Sequence, residues 1–155
     1  MSYHIIWQNP DGSLKVTNMH NAATLADASE HKDYLIGLGE SAAFQAIVTS
    51  PQLPQERYFR PAWRFNGVSV TLDIPACRQR HIDKLRRVRN VKLQDSDADY
   101  MRALEQANQT QLDALKNYRQ ALRDMPQAVN TTLQAAATPE AIKAIRPAIL
   151  DTLKP

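Results

Sequence analysis

Leu72-Asp73-Ile74-Pro75-Ala76-Cys77-Arg78 is the stretch at which the character of the chain changes. Upstream of Ile74-Pro75 the signals are those of strands and turns; downstream they are almost wholly helical. Pro75 suits the first turn of a helix, because the amide it lacks would be unpaired there in any case. Arg78 to Leu93 then runs without Gly or Pro, long enough for about four helical turns. The sequence therefore divides into an N-terminal β-rich domain, residues 1–74, and a C-terminal helical region, residues 75–155.

Reading back from that point, Tyr3 to Trp7 is rich in strand formers. Asn9-Pro10-Asp11-Gly12 supplies turn chemistry, and Leu14-Lys15-Val16-Thr17 alternates with the two-residue period of a strand. This predicts a β-hairpin. Leu25 to Leu38 predicts a short amphipathic helix with Thr24 as its N-cap and Gly37 and Gly39 near its end. Phe44 to Thr49 reads as a further strand, followed by an extended loop bracketed by Pro51 and Pro54. Tyr58 to Phe65 is the most aromatic segment, and Asn66-Gly67 before alternating Val68, Val70 and Leu72 predicts a second hairpin ending at Asp73.

Reading forward, Ser96-Asp97-Ala98-Asp99 has the form of a helix start, so one helix is expected to stop near Gln94 and another to begin at Asp97, with one continuous helix as the alternative. Tyr100, Met101, Leu104 and Ala107 form an apolar stripe. Thr110-Gln111-Leu112-Asp113 repeats the start signal, and Leu112, Leu115, Arg119 and Leu122 continue at helical spacing. Met125-Pro126 is expected to end that helix. Thr138-Pro139-Glu140 opens a further short helix, which Pro147 interrupts.

Composition bounds what such a chain does. With 155 residues, 43% hydrophobic and 23% charged, it has the profile of a folded protein with one modest domain or a small head carrying a helical extension. Aromatics are only 6%, so the core rests on Leu, Ile, Val and Ala. A formal charge of +3 is too small a surplus to argue for nucleic acid by itself. No apolar run reaches membrane-spanning length, and the N-terminus lacks the basic flank and apolar stretch of a signal peptide. The lone Cys77 excludes an intramolecular disulfide and fits synthesis and folding in a reducing cytoplasm.

Chemistry-bearing motifs are sparse. His4, His20, His31 and His81 fall in different predicted elements, and no paired-cysteine, zinc-protease or dinucleotide pattern occurs. Cys77 and His81 share a helix face but lack further ligands or an orienting third group, so they read as a packed cysteine beside a surface histidine. Asp95, Asp97 and Asp99 lack the central Gly and terminal Glu of a calcium loop and read as helix-start acids. No catalytic residue, metal or cofactor is expected. The basic helix is the strongest remaining feature: Arg78, Arg80, Lys84, Arg86, Arg87 and Arg89 crowd it. At 100° per residue these cations spread round most of the circumference, which favours contacts with acidic protein surfaces over a nucleic-acid stripe.

Leu115-Lys-Asn-Tyr-Arg-Gln-Ala-Leu-Arg-Asp-Met-Pro126 resembles a segment of phage tail assembly chaperone-like proteins. Leu53 to Trp63, with its Arg-Tyr-Phe-Arg-Pro-Ala-Trp run, Arg86-x-x-Arg89, Met101 to Glu105 and Thr138-Pro139-Glu140 are similar to elements of proteins encoded among phage and prophage tail genes. Ser96 departs from that pattern, where an apolar residue is expected. The resemblance implies a non-enzymatic phage tail protein that binds a tail-fibre or baseplate protein, either as a virion component or as an assembly chaperone. It implies partner contacts at Tyr118, Arg119, Leu122, Arg123 and Asp124, and at Phe59 and Trp63, with the basic helix as a further surface. The alternative class is a basic nucleic-acid-binding or regulatory phage protein. The expected fold is α+β: a small antiparallel sheet of two hairpins with a short helix, then a helical hairpin and short C-terminal helices. Because helices with apolar stripes and few aromatics bury themselves incompletely in a small chain, a homo-oligomer is expected. No nucleic-acid or membrane partner is expected, and the place of action is the virion tail after synthesis in the host cytoplasm.

Overall fold

The computed structural model describes residues 2–19, 22 and 24–155; His20, named above, lies outside them. The chain forms two compact units, Met1–Cys77 and Arg78–Pro155. The architecture is α+β, with small antiparallel sheets followed by a helical hairpin and short C-terminal helices.

In the first unit, β1 (Tyr3–Gln8) is the central strand of a three-stranded antiparallel sheet, flanked by β2 (Leu14–Met19) and β3 (Ala43–Thr49). The β1–β2 hairpin turns where Asn9-Pro10-Asp11-Gly12 predicts, with Gly12 at φ +80° and its amide donating to the Asn9 carbonyl at 2.9 Å. The four consecutive residues His4, Ile5, Ile6 and Trp7 are all buried, because β1 is covered on both faces. Ile5 and Trp7 pack with Ala42, Leu35 and Ile47 on the side of α1 (Leu25–Gly37), whereas Ile6 packs with Val16, Val48, Leu53, Trp63 and Val70. The His4 ring bridges Asn18 at 3.0 Å and Ser50 at 2.9 Å, which satisfies a polar group in this interior. Thr24 caps α1 through a reciprocal capping box with Asp27.

The second hairpin is shorter than the sequence predicts. β4 (Trp63–Phe65) and β5 (Val70–Leu72) hold three residues each. Arg60–Ala62 is a 3-10 turn instead of strand, since Pro61 lacks an amide to donate to a ladder. Nor is the connection a two-residue turn: Asn66–Ser69 intervenes, with Asn66 Oδ1 accepting from the amides of Val68 and Ser69.

The second unit is built on α2 (Ile74–Asp95), α3 (Asp97–Glu105) and α4 (Gln109–Ala135). Asp73 caps α2 through its carboxylate to the Ala76 amide at 3.1 Å. Bonds from Arg78 to the Ala136 carbonyl and from Arg119 to that of Leu93 show that α4 runs antiparallel to α2. One residue, Ser96, separates α2 from α3 as predicted, but it does not cap α3. Its hydroxyl bonds back to the Leu93 carbonyl at 2.7 Å, so the break is a local hitch in a nearly continuous rod.

The α3–α4 turn is a Schellman motif. The Ala107 amide donates to Leu104 and the Asn108 amide to Ala103, with Ala107 at φ +51°. Ala107 therefore belongs to the turn and not to the apolar stripe read from the sequence. Asn108, ahead of the predicted Thr110 start, caps α4 through the Gln111 amide.

Three other expectations are corrected in this unit. α4 does not end at Met125-Pro126 but continues to Ala135 with Pro126 inside it. Proline removes one helical hydrogen bond and crowds the carbonyl four residues back. Here Leu122, Met125, Val129 and Leu133 stay buried on one face, and their burial outweighs that loss. Met101 and Leu104 are 52% and 51% exposed, so the stripe of α3 is not core; Ala103 is the buried α3 residue, packed with Leu112, Leu115 and Tyr100. His81 is buried and not a surface residue: its Nε2–H donates to the Ile145 carbonyl at 2.8 Å.

The chain finishes with α5 (Pro139–Ala144), capped by Thr138, and a 3-10 turn at Ala148–Leu150. The tail then runs along α2, with Lys92 donating to Thr152 and Lys154 bonded to the Asp95 carbonyl and the Asp99 carboxylate. Arg146 forks onto Asp151 at 2.6–2.9 Å.

Three outcomes follow from this construction. Ala107→Gly removes the left-handed strain of a side chain, about 1–2 kcal/mol, offset in part by the greater freedom of unfolded glycine; urea unfolding should show net stabilisation. Leu115, fully buried, should lose roughly 2–5 kcal/mol as Leu115→Ala, and a cost near zero by the same measurement would remove it from the core. Bonds from Lys154 and Arg146 hold the Asp99 and Asp151 carboxyls below their ordinary 3.8. Their contribution is full above that value and lost as the pH falls through the lowered ones. Hydrogen exchange at Ala148–Leu150 should quicken selectively as the pH drops below it, once corrected for intrinsic rates.

Candidate functional site

The second unit gathers its polar chemistry around one guanidinium. Arg119 of α4 points Nη1 at the α2–α3 junction, 2.6 Å from Asp97 Oδ1, 2.7 Å from Ser96 Oγ and 3.1 Å from the Leu93 carbonyl. Its guanidinium also lies 5.4 Å from the Tyr100 ring centre. Ser96 is fully buried, and a carbonyl and a hydroxyl at the hitch would lack one of their partners without this arginine. The serine that departs from the expected pattern is thus the residue that receives Arg119. In the same cluster Asp97 binds Arg119, and Asp99 binds Arg102 and Lys154. Among the described residues, no three His, Cys, Asp or Glu side chains gather as metal ligands would.

The surrounding segment separates into core and surface. Tyr118 and Leu122 are buried on the inner face of α4, while Arg123 and Asp124 are exposed. Asp124 accepts from Gln120 at 2.9 Å, and does not pair with Arg119. Tyr100, Lys116, Arg119, Gln120 and Arg123 line an open depression between α3 and α4. Phe59 and Trp63 are wholly buried in the first unit, with the guanidinium groups of Arg57 and Arg60 within 6 Å of the Trp63 ring. Their place is in the core, so they shape the surface above them and do not form it.

The cations of the basic helix divide by direction. Arg78 is turned to the C-terminal end of α4, where two of its nitrogens bond the Ala136 carbonyl at 2.8 and 3.1 Å. This places positive charge at the negative end of the helix dipole. Arg86 pairs with Asp83 at 3.2 Å, and Arg89 is half-buried. Arg80, Lys84 and Arg87 lie at helical spacing along one flank, beside the exposed Val88 and Val91. Arg87 has no hydrogen-bond or ion-pair partner among the described residues, and neither has the buried Nε of Arg80. The two valines went unremarked in the sequence because they interrupt a run read only for its charge; their spacing from Lys84 and Arg87 was the available signal.

Burial, with the nearby Asp73 carboxylate, pushes the Cys77 thiol up to about 11, which suppresses the thiolate a nucleophile requires. His81 is committed to a backbone carbonyl. No helix among the described residues is long and apolar enough to cross a membrane.

Comparison with known proteins falls on this same unit. No curated protein and no solved structure matches the chain. Residues 82–141 match the family model of the phage tail assembly chaperone protein, a span that takes in most of the basic helix, the Arg119 junction and all of α4. Across that span the chain is similar to phage tail assembly chaperone proteins.

Proposed function

We propose that this chain serves the assembly of a phage tail by binding an acidic surface of a tail-fibre or baseplate protein through the outer flank of α2. The observation that carries this reading is the character of that flank within the matched segment. Lys84 and Arg87 stand beside Val88 at 43% and Val91 at 56% exposure, with Arg80 one turn earlier. Exposed apolar side chains set among cations suit a protein partner, since burying the valines gains hydrophobic free energy while the cations select an acidic surface. A nucleic-acid reader gains nothing comparable from the two valines.

The role is that of a transient, non-enzymatic chaperone. Arg123 and Asp124 extend the contact surface from α4, and Arg119 supports it by holding the α2–α3 hitch. The protein acts in the host cytoplasm while the tail is built and does not remain in the virion.

Two measurements test this. Arg80, Lys84 and Arg87 replaced together by Glu should weaken capture of the tail partner, co-expressed from the neighbouring tail genes, by at least about tenfold. Unchanged capture would remove the flank from the interface, and DNA retention at physiological salt in a gel-shift assay would favour the nucleic-acid class instead. Mass spectrometry of purified virions should find the partner without this chain; stoichiometric presence would make it a lasting tail component.

A further inference from the structure

The outer face of α3 is a feature that the contact with a tail partner leaves unused. Met101 and Leu104 are each about half exposed, one turn apart on the side away from the buried Ala103. The strip they form has a polar end at each extremity, and the two ends differ in sign. At the C-terminal end Glu105 is exposed, with no ion-pair partner among the described residues, while the nearby Arg102 is paired with Asp99 at 3.0 Å. At the other end lie Tyr100 and the exposed Lys116 of the α3–α4 depression, with Arg119 already bound to Asp97. Asp97 is therefore neutralised, and Lys116 is held only by a long contact of 3.6 Å to Asp113.

We infer that this face is a self-complementary interface for a second copy of the chain. A twofold axis between Met101 and Leu104 sets the two α3 helices antiparallel, with the Met101 and Leu104 side chains of both copies packed at the centre. Tyr100 and Glu105 are about 7.5 Å apart along the helix axis at 1.5 Å per residue. The same rotation therefore carries the acidic end of one copy over the basic end of the other, giving two equivalent Glu105–Lys116 pairs. An apolar strip with like charges at both ends would repel its own copy; one with opposite ends matches it, as an isologous contact requires. Few apolar side chains take part, so the dimer is weak, with a dissociation constant of about micromolar order.

Sedimentation equilibrium of the full chain from about 1 to 200 µM tests the inference. The wild type should pass from monomer to dimer over that range; a monomer throughout overturns the proposal. Glu105→Lys and Lys116→Glu should each weaken dimerisation about tenfold or more, because each places like charges across the axis. An equimolar mixture of the two variants should recover a heterodimer, since each Lys then faces a Glu. All of these positions are exposed, and circular dichroism establishes that both variants remain folded. Variants that dimerise as the wild type does, or a mixture that stays monomeric, place the contact elsewhere. Leu104→Glu should also abolish the dimer, and its persistence would overturn the role of the apolar strip. The tail-partner capture assay is independent of these outcomes, since the α2 flank lies outside this interface.

Discussion

The helical unit depends on how one guanidinium is shared. Arg119 sends a charge-assisted hydrogen bond to each of three oxygens at the point where α2 gives way to α3. A helix interrupted by one residue leaves carbonyls without their usual amides, and at a buried serine water is not there to replace them. The arginine of the antiparallel helix fills that place, so the hitch and the hairpin are stabilised by one group.

Because so much cationic charge is committed internally, the surface left over is small and specific. Arg78 terminates α4, Lys92 and Lys154 fasten the C-terminal tail, and Arg146 holds Asp151. Each satisfies a backbone carbonyl or a carboxylate close to its own helix, and the exposed pairs among them add little stability individually. Outward-facing features include the exposed Arg87 with Val88 and Val91 on α2, and the strip of Met101 and Leu104 on α3. A mildly basic composition thus conceals two chemically distinct faces, one combining a cation with apolar side chains and one that is mainly apolar.

Local rules were legible wherever a few neighbouring residues decide the outcome. Asn9-Pro10-Asp11-Gly12, the Thr24 box, Pro75 in the first turn of α2, the interruption at Ser96 and the Thr138-Pro139 start all act through hydrogen bonds or dihedrals within four residues. The errors share a different cause. Pro126 reads as a stop because its local effect is unfavourable, yet a buried stripe on both sides of it keeps α4 intact. Tyr58 to Phe65 reads as one aromatic segment, yet Pro61, which lacks an amide, sits in a 3-10 turn ahead of β4. Ala107 carried no glycine signal for the left-handed turn it occupies.

The sequence alone determined the α+β class, the division of strand signals from helix signals near Ile74-Pro75, the main helix and strand starts, and a likeness to tail assembly chaperones, because these reside in periodicity, caps and short motifs. Only the tertiary structure decided which members of each motif face outward. Tyr118, Leu122, Phe59 and Trp63 were candidates for contact and are core, whereas Met101 and Leu104 were candidates for core and are surface. Helical periodicity defines faces relative to one another, but which face is covered depends on the elements that return to pack on it. Arg119 and Ser96, separated by more than twenty positions in sequence, meet only because α4 turns back along α2 and α3.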